Sequence, residues 1–253
     1  MLKKEIHIFF TALMFFTRIP CPKWVNHDAK ILSKSSKYFS LIGILVGSIG
    51  ALVFYSSHLI LPKEIALIFG MIATIYTTGA FHEDGFADVC DGFGGGYTKD
   101  KILSIMKDSL LGTYGVVGIL LLLLLKFYSL FYIETYYIPF VLIAAHSTNR
   151  FVATTLIYTQ PYVRDTHSKA KPAATKITLS MVIISGVIAC LPLITFLKWQ
   201  VFLVLIPMYL SKIFLAKKFN KWIGGQTGDC AGAVQQVSEV VFYISFIVLW
   251  KYI

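Results

Sequence analysis

Charged residues are scarce in this sequence, and their scarcity excludes an ordinary soluble domain. Of its 253 residues only 14% are charged, whereas 57% are hydrophobic. A soluble globular domain usually has about 25% charged and about 45–50% apolar residues. The chain is therefore predicted to be an integral membrane protein in contact with a lipid bilayer.

Acidic residues are the rarer charged class, with 13 against 23 basic residues and a net charge of +10. A basic balance can indicate nucleic-acid binding. Here, however, the Lys and Arg residues are scattered between hydrophobic runs and are not gathered on one face. That distribution is typical of membrane topology signals. We therefore expect no nucleic acid among the partners.

Several common motifs are missing. The four cysteines, Cys21, Cys90, Cys190 and Cys230, have no CxxC spacing, so neither a zinc site nor a disulfide framework is indicated. No Walker loop, dinucleotide GxGxxG, HExxH or GxSxG occurs. The first twenty residues lack a small-residue cleavage site after their apolar part, so no cleavable signal peptide is expected.

What the chain does have is a series of long apolar runs, which predict membrane spans across a hydrocarbon core of about 30 Å. The predicted spans are residues 41–61, 65–81, 114–133, 137–158, 177–197, 199–216 and 238–253. The run from Ile6 to Phe16 is shorter and predicts a re-entrant or interfacial helix. The expected fold is all-α, a polytopic bundle of about seven transmembrane helices plus this N-terminal helix, forming one domain over residues 1–253.

The basic residues predict the orientation of the bundle. Seventeen Lys and Arg residues lie in the N-terminal segment and the long loops around 18–37, 82–112, 159–176 and 217–236. The short turns and the C-terminus carry three, Lys63, Lys198 and Lys251. The positive-inside rule then puts the four long loops in the cytoplasm, if the first helix does not cross the membrane. The expected location is the cytoplasmic (inner) membrane.

The loop that follows the second predicted span holds an unusual concentration of acid. Residues 81–115 contain six of the thirteen acidic residues. If this segment continues the preceding helix, Asp84, Asp88 and Asp91 fall on a single helical face, where their charges repel. A divalent cation would relieve that repulsion, and oxygen-only ligation favours Mg²⁺ or Mn²⁺ over zinc. The alternative is a solvated cytoplasmic extension of the helix.

Two further features of this loop are candidates for substrate binding or catalysis. Gly94, Gly95 and Gly96 would let a backbone loop approach a phosphate, and His82 is either an interfacial hydrogen-bonding residue or a functional one. Lys107 and Asp108 precede the next span. They are either a Lys–Asp pair at the membrane boundary, or a phosphate-neutralising lysine and an additional metal-site carboxylate.

Arg150 lies inside the predicted span 137–158. A guanidinium there is costly unless it is paired or hydrated, so it indicates either a fork that grips phosphate oxygens or a buried ion pair. Arg164, in the following loop, is a weaker candidate for phosphate binding.

Asp229, Gly232, Gln236 and Glu239 form a polar stripe that leads into the last span. The small residues in this region would permit close helix contact. The carboxylates suggest instead a second acidic wall of the site. Together with the aspartates, and without a P-loop, the pattern indicates magnesium-dependent transfer of a phosphate group.

The sequence resembles the cobalamin synthase family, whose members are adenosylcobinamide-GDP ribazoletransferases. The resemblance lies in HEDGFADVCDG (His82 to Gly92), IMKDSLLGTYG (Ile105 to Gly115), FFTRIPCP (Phe15 to Pro22), PYVR (Pro161 to Arg164) and GGQTGDCAGAVQQVSE (Gly224 to Glu239), and it covers nearly the whole chain. The second and third of these blocks also place Lys107 and Arg18 among the candidate site residues.

The resemblance implies that α-ribazole, or its 5′-phosphate, attacks the cobinamide-proximal phosphorus of adenosylcobinamide-GDP and releases GMP with Mg²⁺ present. It also makes other enzymes of nucleotide-loop assembly candidate partners. Asp84, Asp88 and Asp91 would hold the metal, with Asp108 or Asp229 assisting and Arg150 and Lys107 as phosphate clamps.

Two other functions share some of these sequence features, a phospholipid enzyme and a membrane transporter. A phospholipid-type CDP-alcohol phosphotransferase has aspartates at a different spacing, with Ala-Arg after the first Asp-Gly. An ion-coupled transporter would suit the intramembrane Arg150. The sequence, however, has no internal repeat, and its acidic residues cluster at one side of the membrane.

Overall fold

The computed structural model describes residues 2–25, 29–108, 110–164 and 177–252. Its α-helices, numbered in chain order, are α1 (Leu2–Phe16), α2 (Ala29–Ser35), α3 (Phe39–His58), α4 (Lys63–Thr78), α5 (Phe81–Gly95), α6 (Lys99–Ile105), α7 (Thr113–Phe131), α8 (Ile138–Thr159), α9 (Leu179–Cys190), α10 (Leu205–Ile223) and α11 (Gly228–Trp250). Short 3₁₀ segments adjoin α3, α8, α9 and α10, at Ser36–Tyr38, Thr135–Tyr137, Leu191–Phe196 and Trp199–Val204.

The predicted all-α membrane bundle is confirmed. Six helical segments in the described part of the chain are long and apolar enough to cross a membrane, at 31–58, 113–131, 135–159, 179–196, 199–223 and 228–250. The pair α4 and α5 gives a seventh candidate. Helix α1 is a separate short helix, and its buried residues Ile8, Ala12 and Phe16 recur at helical spacing.

Helix α5 is a separate helix and does not continue α4, so the condition under which the three aspartates were placed on one helical face is met within α5 alone. The two helices are bent by 88°, and the chain turns at Gly79 and Ala80, whose φ angles are +66° and +57°. A side chain at Gly79 would also collide with Arg18, which lies across the bend. We therefore treat α4 as the span and α5, which carries four acidic residues, as lying outside the spans.

The long loops meet at one end of the bundle, which we call the acidic end. Arg18 N donates to Thr77 O at 2.8 Å, and Val163 N donates to Gln226 O at 3.0 Å. Arg164 Nη2 donates to Met106 O at 2.8 Å. The first bond joins the loop after α1 to the end of α4. The other two join the loop after α8 to the loop before α11 and to the loop before α7.

At the opposite end of the bundle, two lysines connect the short turns and the C-terminal helix. Lys63 Nζ donates to the carbonyls of Phe131 and Ile133 at 2.7 and 2.6 Å. The ammonium of Lys198 lies 5.1 Å from the centroid of the Trp250 ring. The short turns between spans therefore lie together, away from the acidic end.

Glycines allow the central helices to pack closely. A Cβ at Gly43 or Gly47 of α3 would overlap the backbone of α8, and a Cβ at Gly85 of α5 would lie 3.0 Å from Asp229 Cα. Close backbone approach through small residues is characteristic of membrane helix pairs. It presses α5 against the first turns of α11 and so determines where the acidic residues of the two helices lie.

The last helix begins earlier than the predicted span at residue 238. Helix α11 starts at Gly228, after Thr227, whose Oγ1 accepts a hydrogen bond from Cys230 N at 3.3 Å. This N-cap begins the helix, and the polar residues that follow are buried inside the bundle. The polar stripe is therefore part of the span.

Candidate active site

Three carboxylates come together at the acidic end. Asp84 and Asp88 lie one turn apart on α5, and Asp229 lies in the first turn of α11, where Gly85 brings the two backbones into contact. Asp84 is exposed and Asp88 is partly buried. We call these three residues the acid cluster.

The acid cluster is electrostatically strained. Burial raises the pKa of Asp88 from 3.8 to about 7, and the nearby carboxylates of Asp229 and Asp84 contribute to the rise. The positive charge of Arg164 acts in the opposite direction but does not offset these effects. The cluster therefore has too little positive charge for its carboxylates, which is the condition that favours a bound cation.

Arg164 connects the acid cluster to two loops. Its Nη2 lies 2.6 Å from Asp229 Oδ2 and 2.8 Å from Met106 O. Asp229 also accepts a long hydrogen bond from Thr227 Oγ1 at 3.5 Å. Arg164 was the weaker arginine candidate in the sequence, yet it is the one that contacts the cluster.

Asp91 faces the start of α7. Its Oδ2 accepts a hydrogen bond from Gly112 N at 2.7 Å, and its Oδ1 accepts one from Gly115 N at 2.8 Å. A carboxylate at this position satisfies free N–H groups and interacts favourably with the helix dipole. Metal binding by Asp91 stays a prediction, and the contacts give it a second role in holding α7.

The three consecutive glycines do not form a phosphate loop in the structure. Gly94 and Gly95 end α5, and Gly96 follows as its C-cap. A Cβ at Gly94 would overlap the Tyr114 ring, and one at Gly96 would overlap Ile102. Two of the three glycines are therefore explained by packing of α5 against α6 and α7.

Three other candidates lie apart from the described contacts of the cluster. Lys107 and Asp108 are exposed in the turn after α6, where Asp108 Oδ1 accepts a hydrogen bond from Leu110 N at 3.2 Å. Arg18 is exposed at the bend between α4 and α5. Their proposed phosphate and metal roles stay predictions.

A second polar group lies inside the bundle, centred on Glu239. Its Oε1 lies 3.0 Å from Lys126 Nζ and accepts a hydrogen bond from Tyr243 Oη at 3.0 Å. Its Oε2 accepts one from Asn149 Nδ2 at 2.9 Å. Glu239 is thus the counter-ion of a buried lysine and does not contact the acid cluster.

Gln236 links this interior group to α5. It accepts a hydrogen bond from Lys126 Nζ, and its Nε2 donates to Glu83 Oε1 at 2.8 Å. Glu83 immediately precedes Asp84 in the sequence. The polar stripe of α11 is therefore divided, with Asp229 in the acid cluster and Gln236 and Glu239 in the interior.

Arg150 is fully buried in α8. Its Nη1 donates to His146 O at 2.8 Å and to Asn149 Oδ1 at 3.3 Å, and its guanidinium lies 5.6 Å from the Phe39 ring. Within the described residues no carboxylate forms a salt bridge with it, and its Nε and Nη2 have no hydrogen-bond partner. The guanidinium of Arg150 is thus packed against the Phe39 ring inside the bundle. Its phosphate-binding role stays a prediction.

His82 points into the protein from the first turn of α5. Its side chain is 3% exposed, and its Nε2 has no hydrogen-bond partner in the described part of the chain. Burial, followed by the positive charge of Arg150, lowers the pKa of His82 well below its usual 6.5. The ring is therefore neutral at physiological pH.

Lys126 is the residue that the sequence analysis missed. It lies in a run of leucines within the predicted span 114–133, and its side chain is buried and paired with Glu239. The signal was present, because a lysine within a span is as costly as Arg150 and needs a partner.

The donor set suits a hard divalent cation, although the described residues contain no group of three His, Cys, Asp or Glu side chains arranged to hold one. Mg²⁺ commonly uses one or two carboxylates and completes its shell with water and substrate phosphates. Asp84, which is exposed, and Asp88, which is partly buried, are crowded by like charge and fit this mode of binding.

Comparisons with known proteins give a consistent result. Residues 8–247 match the family model described as cobalamin-5-phosphate synthase. An adenosylcobinamide-GDP ribazoletransferase of Shewanella frigidimarina is 45% identical over 253 residues, covering 95% of this chain and 94% of the relative. The protein of the same name in Shewanella amazonensis is 42% identical over 257 residues, covering 98% of each chain. No solved structure shows significant similarity to the chain.

Proposed function

This chain belongs to the cobalamin-5-phosphate synthase family, and on that basis we propose that it is a transferase that joins α-ribazole, or α-ribazole 5′-phosphate, to adenosylcobinamide-GDP. The products are adenosylcobalamin, or its 5′-phosphate, and GMP. The observation that carries the proposal is the acid cluster of Asp84, Asp88 and Asp229, which lies at one end of a membrane bundle whose sequence matches the family almost throughout.

The reaction replaces a diphosphate (phosphoanhydride) linkage by a phosphodiester. The 5′-hydroxyl oxygen of the ribazole bonds to the phosphorus next to cobinamide, the bond from that phosphorus to the bridging oxygen breaks, and GMP leaves with the electron pair. The hydroxyl proton is lost to a base. Charge accumulates on the diphosphate during this exchange, so electrostatic stabilisation is the main requirement on the protein.

Asp84 and Asp88 would hold Mg²⁺, which supplies positive charge to the diphosphate and the departing GMP. The raised pKa of Asp88 supports this assignment, because a crowded carboxylate is stabilised by a nearby cation. Arg164 neutralises Asp229 at 2.6 Å and orders the loop next to the cluster. Asp88, if not bound to metal, is also suited to accept the hydroxyl proton, since its pKa is close to neutrality.

We further propose that the protein resides in the cytoplasmic membrane with the acidic end facing the cytoplasm. In the sequence, the N-terminal segment and the four long loops carry seventeen Lys and Arg residues, against three in the short turns and at the C-terminus. This orientation gives the acid cluster access to cytoplasmic magnesium and nucleotides. Neither the phospholipid transferase nor the transporter gains support from the described contacts.

A product assay tests the proposal directly. Protein purified in detergent is incubated with adenosylcobinamide-GDP, α-ribazole and Mg²⁺, with and without EDTA, and the products are separated by chromatography. We expect GMP and adenosylcobalamin in equal amounts, and only without EDTA. Absence of both products from protein that is folded, with consumption of a CDP-activated lipid precursor, would contradict the proposal and favour the phospholipid enzyme.

A further inference from the structure

A narrow slot lined by aromatic rings lies beside the acid cluster. Its walls are Phe15 and Phe16 from α1, Phe39 from α3, and Phe81 and His82 from α5. We call this the aromatic slot. The rings contact one another, with Phe16 stacked on Phe39 at 4.2 Å and Phe15 edge-on to Phe81 at 5.8 Å between centroids. Such a lining is suited to a flat aromatic ligand.

One residue that lines the slot has a buried polar atom without a partner among the described residues. His82 lines it, is 3% exposed, and leaves Nε2 without a hydrogen bond in the described part of the chain. Buried polar atoms are nearly always paired, so an unpaired one requires an explanation. A ligand atom that forms a hydrogen bond with His82 Nε2 would explain the unpaired nitrogen.

The slot and the acid cluster are neighbours along two helices. His82 lies two residues before Asp84 on α5, and Gly228, which also lines the slot, directly precedes Asp229 on α11. A molecule whose ring fills the slot can therefore extend its other end to the carboxylates. α-Ribazole has this form, with a planar benzimidazole at one end and the reacting 5′-hydroxyl at the other.

We propose that the aromatic slot binds the benzimidazole ring of α-ribazole, with His82 Nε2–H donating a hydrogen bond to the unsubstituted ring nitrogen. The inference rests on the proposed function and names the subsite for one of its two substrates. His82 is a specificity-determining residue here: it selects a ring with an acceptor nitrogen and directs the ribose toward Asp84 and Asp88.

Entry of the base requires one wall to move. The void within the slot is small, about 40 Å³, and the rings that line it already contact one another. Phe81 forms the outer wall and is 42% exposed, so outward rotation of its side chain would give up its ring contacts with Phe15 and His82. The slot is therefore closed in the free protein and opens as the base enters.

A larger cavity is the competing location for the base. It has a volume of about 530 Å³ and is lined by residues that include Phe86, Cys90, Val117 and Lys218. The slot, and not this cavity, is lined by Gly228, the residue next to Asp229, and for this reason we place the base in the slot.

The test combines a variant with a modified substrate. His82→Phe keeps a flat ring without the nitrogen, and the indole analogue of α-ribazole lacks the acceptor nitrogen. For the wild-type protein we expect kcat/KM to be about tenfold lower with the analogue, equivalent to about 1.4 kcal/mol. For His82→Phe we expect similar values for both compounds, a KM for α-ribazole raised about tenfold, and an unchanged KM for adenosylcobinamide-GDP.

Two further variants complete the design. His82→Gln, which retains a donor, should recover part of the discrimination between α-ribazole and the indole analogue. Val117→Phe, which fills the competing cavity at a partly exposed position, should leave the KM for α-ribazole unchanged. The proposed subsite would be wrong if wild type and His82→Phe discriminated equally between α-ribazole and the indole analogue. It would also be wrong if only Val117→Phe raised the KM for α-ribazole. Absence of turnover in the wild type would overturn the proposed function instead.

Discussion

Lys126 Nζ lies 3.0 Å from Glu239 Oε1 inside the helical bundle, and the two side chains are 6% and 3% exposed. This ion pair joins α7 to α11 within the membrane-spanning region. Through Gln236 and Glu83 it also reaches the residue next to Asp84. The pair therefore connects the stability of the bundle to the position of the acid cluster.

Removing one member of this pair should strongly destabilise the protein. Lys126→Met leaves Glu239 buried without its lysine counter-ion. Breaking a buried ion pair costs about 3–5 kcal/mol, so we expect a clear fall in the thermal unfolding temperature in detergent. Lys101→Met, at an exposed position of α6, is the matched control. The double variant Lys126→Met with Glu239→Gln should recover part of the loss. An unchanged unfolding temperature in Lys126→Met would contradict the buried pair.

Substituting the two α5 members of the acid cluster should remove activity without removing the fold. Asp84→Asn and Asp88→Asn each lose a charged metal ligand, so we expect at least a 100-fold drop in kcat, consistent with several kcal/mol of metal stabilisation. Both variants should still insert into membranes. Asp100→Asn, an exposed acid on α6, should retain full activity. Normal turnover by both cluster variants would refute the metal assignment.

The pH dependence of stability should reveal the strained carboxylate. The pKa of Asp88 is about 7 in the folded protein and 3.8 without the fold, so the folded state binds more protons between these values. Stability of the metal-free protein should therefore fall as pH rises from about 4 to about 7. Unfolding temperatures measured across this range should decline less in Asp88→Asn, and Mg²⁺ at pH 8 should stabilise the wild type more than that variant. An identical pH profile of the unfolding temperature in wild type and Asp88→Asn would contradict a raised pKa for Asp88.

Asp91 should prove to be important mainly for stability. Its two oxygens accept hydrogen bonds from Gly112 N and Gly115 N, and loss of such a cap costs about 1–2 kcal/mol. Asp91→Ala should lower the unfolding temperature, whereas the Mg²⁺ concentration for half-maximal activity should stay near the wild-type value. A large increase in that concentration would show that Asp91 is a metal ligand, as the motif alone predicts.

The orientation can be measured by labelling single cysteines. In a background where the four native cysteines are replaced, Lys101→Cys lies at the acidic end and Leu197→Cys, 91% exposed in the wild type, lies at the opposite end. A membrane-impermeant maleimide should label the first only in inverted vesicles and the second only in right-side-out vesicles. The reverse pattern would place the acidic end outside the cytoplasm.

Much of the architecture follows from composition and local pattern. Apolar runs of bilayer length can bury their backbone polar groups only as helices, so the bundle and most of its spans were predictable. The spacing of Asp84 and Asp88 placed both on one face of a helix, and the signature around them identified the family. These are properties of short segments, which do not depend on how distant parts of the chain pack.

The partners of the buried polar residues were decided by tertiary structure. Sequence spacing grouped Asp229, Gln236 and Glu239 in one stripe, yet α11 extends about 1.5 Å per residue, so its first turn lies at the acidic end and Glu239 lies deep in the bundle beside Lys126. The 88° bend after α4, the contact of Gly85 with Asp229 and the unpaired nitrogen of His82 likewise depend on contacts between segments far apart in the chain. Charge and hydrogen-bond pairing are short-range, so only the folded arrangement determines which residue neutralises which.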